Sequence, residues 1–157
     1  MGRQIAVERF TEELDALLGE TFERVRGIYL DRETSLFETL ATIDAGEASR
    51  PVSATCASIA AQVEHVRFYL EVLERYLRGE TVGKVDWQAS WRLTRVTPDE
   101  WETLKGRLRD AYESVTAVIK GFETWEGEND IGGALAIVVH TAYHLGEIRQ
   151  ALCTVRR

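Results

Sequence analysis

Thr97 to Ile119 reads TPDEWETLKGRLRDAYESVTAVI. Thr97 followed by Glu100 has the spacing of a capping box, and Pro98 falls at the first helical position, where its missing N–H leaves nothing unsatisfied. Behind that start, Trp101, Leu104, Leu108, Tyr112, Val115 and Ile119 recur every three or four residues with charged side chains between them. One face is therefore apolar and the other solvated, which is an amphipathic helix that needs partners to cover it.

The partners lie on both sides of it. Downstream, past a Gly- and Glu-rich turn around Thr124 to Asp130, Ile131 to Val155 is strongly apolar without internal proline and reads as a long, deeply packed helix. Upstream, Ser53 to Leu77 carries Ile59, Ala61, Val66, Phe68, Tyr69, Val72, Leu73 and Tyr76 at helical spacing and is closed by Gly79. Between these helices, Gly79 to Val96 loses its periodicity and holds Gly83, Trp87 and Trp91. A connection of that length is long for a compact bundle, and such loops cover sites. Packing onto the bundle is the commoner role for the two tryptophans, and lining a site mouth is the other.

The N-terminal part completes the set. From Ile5 through Phe10, Leu14, Leu17, Leu18, Phe22, Val25 and Ile28, the three-and-four spacing predicts one long first helix. A shorter stretch, Ser35 to Ile43, follows Asp31 and Thr34, either of which can cap it, and ends near Gly46 and Pro51. Four long helices and no credible strand predict an all-α single domain over residues 1–157, a four-helix bundle.

Composition narrows the function. At 45% hydrophobic and 29% charged, the chain has a globular balance that argues against disorder. Its formal net charge is -7 with cations scattered among acids, which predicts no nucleic-acid partner. No apolar run approaches the roughly 20 residues a bilayer requires, and Met1 to Phe10 has no apolar signal core, so the expectation is a cytoplasmic protein without a membrane partner. Cys56 and Cys153 are too few and too far apart for a disulfide framework.

The chain has three histidines. His140 and His144 are four apart, so on a helix both rings leave one face a turn apart and can converge on one ion. His65 sits mid-helix on a face that includes Phe68 and Tyr69 and can supply a third ligand from across the bundle. Three neutral imidazoles leave at least one position of a divalent ion open, as in reactive rather than closed sites. Against this stands the plainer account, in which a chance pair and a hydrogen-bonded core histidine explain the same residues.

Glu147 follows on the same face as a ligand, an outer partner or a base, or else as a solvated carboxylate. Ala61, Gly133 and Ala136 leave room for a ligand or simply allow close helix packing. No HExxH occurs and no histidine has a Glu three residues before it, which argues against zincin and di-iron chemistry. GxSxG, Walker-type and GxGxxG motifs are also absent.

His65 within QVEHVRFYL and the pair within VVHTAYHLGEIRQAL resemble the DinB/YfiT-like metalloenzyme superfamily over nearly the whole chain. The resemblance implies an up-down-down-up bundle with long crossovers, a divalent metal on His65, His140 and His144, and a homodimer. Many relatives carry Gln where this chain has Glu147. Members with known activity use low-molecular-weight thiols, so the resemblance favours a metal-dependent thiol S-transferase acting on a small molecule. Metal-assisted hydrolysis with Glu147 as base, or a structural ion in a stress-related bundle, are the alternatives. Imidazole donors suit zinc, nickel, copper and iron, with zinc or nickel expected.

Overall fold

The computed structural model describes residues 5–157, so residues 1–4 of the charged opening lie outside it. It contains six helices and, among the described residues, no strand: α1 Val7–Phe22, α2 Leu36–Leu40, α3 Ala45–Ala48, α4 Ile59–Leu77, α5 Pro98–Lys120 and α6 Asp130–Val155. The expected all-α class is met. The long helix α4 packs on α5 and on α6, and α1 packs on the same two. The buried core between them runs from Leu14, Leu18 and Phe22 through Val66 and Leu70 to Leu108, Val115, Ile137 and Ile148.

Helix starts follow local hydrogen-bonding chemistry closely. Thr97 accepts from the Glu100 N–H and Glu100 reaches back to the Thr97 N–H, so the capping box read from sequence is formed. Ser35 and Glu38 make the same exchange and begin α2, so the cap is Ser35 itself and not Asp31 or Thr34. The expected Ser35 to Ile43 helix stops at Leu40, and a separate turn of helix, α3, starts on its own Asp44–Glu47 box. α4 begins at Ile59 rather than near Ser53, because Ser58 accepts from the Ala61 N–H and ends the irregular segment there. It closes, as expected, into Gly79, whose φ of 70° lies in the left-handed region that glycine adopts without steric cost.

α1 differs most from expectation. Its apolar spacing continues through Val25 and Ile28, yet the helix ends at Phe22 and Ile28 is exposed. The reason is Glu20, a fully buried carboxylate. Its Oε2 accepts from the N–H groups of Arg26 and Ile28, and its Oε1 accepts from those of Tyr29 and Leu30. Four backbone donors outside a helix find their acceptor in one side chain, so the chain turns back over the end of α1.

The connection before α5 is fixed in the same manner. Ser58 donates to the Thr94 carbonyl, while Ser49 accepts from the Val96 N–H and donates to its carbonyl. These bonds hold the 3-10 turn Trp87–Trp91 along α4. Gly133 supports close packing and no cavity: a Cβ there would lie 3.1 Å from Leu77 Cδ2. Cys56 and Cys153 are free and exposed. By length and composition alone α6 is apolar enough to cross a membrane, a property it shares with helices packed into protein cores, and 39% of its apolar window is buried in the protein.

Candidate metal centre

α4 and α6 pack side by side, and their facing surfaces bring His65 to the His140–His144 pair, although 75 residues separate His65 from His140. One ring nitrogen from each of His65, His140 and His144 lies within 4.8 Å of the others. His65 Nε2 and His140 Nε2 are 3.1 Å apart, and the ring centroids are separated by 4.5 to 5.0 Å. All three expected ligands are therefore assembled in one place, enclosed by side chains from both helices and the tryptophan turn.

The outer ring nitrogens decide whether this cluster suits a metal. His65 Nδ1 is 2.7 Å from Ser90 Oγ, and Ser90 commits its own proton to the Trp87 carbonyl at 2.7 Å. Ser90 must then accept, so His65 carries its proton on Nδ1 and leaves the Nε2 lone pair bare. His144 Nδ1 is 2.6 Å from Gln62 Oε1 and 3.0 Å from Glu147 Oε2, both acceptors, which fixes the same tautomer and again bares Nε2. His140 lacks such a partner, since its buried Nδ1 meets no donor or acceptor. Stacking holds it instead, with the Tyr69 ring 3.6 Å away at 9°. Neutral imidazoles aimed inward by hydrogen bonds to their far nitrogens are the donor arrangement that borderline divalent ions require. The residues therefore fit such an ion.

Electrostatics keep the rings neutral. Burial pushes His65 down to about 4, helped by His144 and opposed by the Glu147 carboxylate. Burial likewise takes His140 to about 3, with His144 and His65 adding to the effect. His144 is lowered by burial while Glu147 works against the shift. Lone pairs are available at neutral pH without displacing protons.

Trp91 stacks on His65 at 4.0 Å and 19°, and Trp87 packs against Phe68 and Tyr69. The two tryptophans thus divide the two roles considered for them: Trp87 anchors the turn and Trp91 forms a wall of the site. Beside the histidines a cleft of about 370 Å³ is lined by Gln62, Trp91, Glu147, Gln150, Thr154 and Cys56 among others, with no Lys or Arg. Ala61 is buried and Ala136 half-buried. Sequence reasoning missed Ser90, which no periodicity marks because it acts across 25 positions, and the stacking role of Tyr69.

Ser90→Ala is expected to weaken metal binding by about 10- to 100-fold without abolishing it, since it removes the acceptor that fixes one ligand's tautomer. Competition with a chromogenic chelator measures this, and unchanged affinity would show that Ser90 does not set the ring. No family model, curated protein or solved structure matches the chain.

Proposed function

We propose that this protein is a four-helix bundle of the up-down-down-up kind that binds zinc or nickel on His65, His140 and His144 and acts as a metal-dependent thiol S-transferase. The observation that carries the reading is the orientation of Glu147. Its carboxylate engages the outer nitrogen of His144 rather than the face where the bare Nε2 atoms of His65 and His144 meet the His140 ring. That face holds neutral nitrogen donors and, among the described residues, no carboxylate ligand. His65, His140 and His144 would hold a divalent ion there, and its charge, undiminished by anionic ligands, would lower the pKa of a thiol bound to it.

The chain's own groups do the rest. Ser90 and Gln62 hold two rings in register. Trp91 covers His65 from solvent, and the adjoining cleft accepts the body of a small thiol or its electrophilic partner. The cleft is lined by Val52, Ala57, Ala151 and Trp91 together with amide, hydroxyl, thiol and carboxylate groups and no cation, which suits neutral or amine-bearing thiols over polyanionic ones.

Metal-assisted hydrolysis is the second reading, favoured by the fact that Glu147 also borders the cleft and is near enough to accept a proton there. The two separate in one experiment, in which metal-loaded protein is assayed against an electrophile with and without added low-molecular-weight thiol, alongside Glu147→Gln. Thiol transfer requires turnover only with thiol, and Glu147→Gln should retain turnover once saturated with metal while binding metal about tenfold more weakly. Thiol-independent turnover that disappears in Glu147→Gln at full metal occupancy would instead establish hydrolysis. No turnover, with metal-dependent stability, would leave a structural ion.

A further inference from the structure

The metal centre uses only half of the Gln62 side chain. Its Oε1 accepts from His144 Nδ1 at 2.6 Å, and this is the one hydrogen bond the side chain makes among the described residues. The other half is an NH2 group with two donors. Which end of the amide faces His144 is fixed by a third residue. Glu147 Oε2 also lies 3.0 Å from His144 Nδ1, and a carboxylate accepts, so the ring nitrogen carries the proton and Gln62 turns its oxygen to it. The NH2 group is thereby turned away from the ring, where no group of the protein accepts from it.

A donor on a buried residue costs free energy unless something accepts from it. Gln62 is 8% exposed, and the surface it keeps borders the cleft of about 370 Å³ beside the histidines. Its NH2 group is not sealed inside the protein, because the fully enclosed side-chain atoms without a partner are the Thr116 and Thr141 hydroxyls and His140 Nδ1. It therefore opens into the cleft. A solvated glutamine samples many orientations, whereas this one is held at its oxygen, and its donors are preorganised for an acceptor in the cleft.

The rest of the cleft indicates which acceptor fits. Glu147 borders it and no Lys or Arg does, so a carboxylate or phosphate would meet a negative charge with no cation to offset it. A neutral carbonyl avoids that conflict. Among neutral carbonyls an amide also brings an N–H, and the Glu147 carboxylate and the Gln150 amide oxygen are acceptors bordering the same cleft. Val52, Ala57 and Ala151 add apolar wall for the carbons on either side. Gln62 stands against Nδ1 of His144, the nitrogen remote from the face where the three rings meet, so it reaches the body of a ligand and not the atom bound to the ion.

We infer that the cleft is a subsite for an uncharged amide group whose carbonyl oxygen accepts from the Gln62 NH2, so that Gln62 selects thiols carrying such a group a few bonds from sulfur. The inference deepens the thiol-transfer reading and rests on it, since the ligand is anchored at the ion through its sulfur.

Titration calorimetry of the zinc-loaded full chain tests it with three thiols of matched length. N-acetylcysteamine carries the amide, 2-ethoxyethanethiol has an ether and a methylene in its place, and 4-mercaptobutanoate carries a charged carboxylate instead. The amide thiol is expected to bind at least about tenfold more tightly than the ether, as one or two net hydrogen bonds imply, and more tightly than the carboxylate. Gln62→Glu keeps an acceptor on His144 and removes the donor, while Gln62→Leu removes both and leaves Glu147 to hold the ring. Each variant should keep one zinc per chain and bring the ratio of amide to ether affinity close to one. Loss of ring orientation alone would change both thiols alike and leave that ratio where it was. A wild type without preference for the amide overturns the inference, as does a preference that survives both substitutions or tighter binding of the carboxylate. Binding of none of the thiols overturns the thiol reading and the inference with it, whereas equal binding of all three overturns the inference alone.

Discussion

Replacing His140 by alanine is expected to empty the metal centre, and replacing His65 by alanine is expected to do the same. Wild type, purified without a histidine tag and supplied with zinc or nickel, should carry one ion per chain by elemental analysis, and each variant close to none. Two helices contribute to the site, so the outcome in both variants matters. Loss only in His140→Ala would indicate a local pair on α6, and loss in both requires the cross-helix cluster drawn from the 3.1 Å approach of His65 and His140. Binding to the folded state alone stabilises it by about 4 kcal/mol when free metal exceeds Kd a thousandfold. For a chain of this size that is roughly 8 to 16 °C in Tm. The variants should show no such gain, and unchanged melting of wild type with either metal would refute the site.

The same prediction has a pH signature. An ordinary imidazole with a pKa of 6.5 begins to compete protons against metal just below neutrality. Here burial has already lowered His65 to about 4 and His140 to about 3, so their lone pairs stay free well below 6.5. Metal affinity should therefore remain level as pH falls through 6.5, provided the protein is folded. A steep fall in affinity centred at 6.5 would mean that the rings are solvated and the cluster is open.

How far the sequence could take this reading depends on the range of each interaction. The starts of α5 and α2 are local, a hydroxyl and a carboxylate three residues apart, and such signals are visible in a string of letters. The cap of α2 is less legible, because Asp31 and Thr34 lie close by with the right chemistry and only geometry shows that the Ser35 hydroxyl is the one that accepts from the Glu38 N–H. The histidines were legible as candidates because i,i+4 spacing on a helix has one spatial meaning. Their convergence was not, since it depends on the register of α4 against α6. Ser90 and Trp91 lie in a segment without periodicity, and serine bonds to Val96 and Thr94 decide where they sit. The end of α1 is not legible in the same way, because hydrophobic spacing continues through Val25 and Ile28 past the point where one buried carboxylate redirects the chain.

That carboxylate supports the second large effect. Burial alone would raise the Glu20 pKa, yet four backbone N–H groups overcome it and bring the acid from 4.5 to about 2. A depressed carboxylate contributes stability that is fully present above its unfolded pKa of 4.5 and is lost as pH falls through the folded value of about 2. The shift corresponds to about 3 kcal/mol at neutral pH. Glu20→Gln keeps the shape but turns an NH2 group toward two of the four donors, leaving both unpaired in a buried place. It should lower stability by about 3 kcal/mol, roughly 6 to 12 °C in Tm, at pH 7. Comparing the two proteins across pH isolates the group, because every other carboxylate titrates in both. Their difference should be constant above 4.5 and shrink steadily in acid, and a difference that stays the same down to pH 2 would mean that the lost contacts are steric and that the charge of Glu20 does not hold the chain over the end of α1.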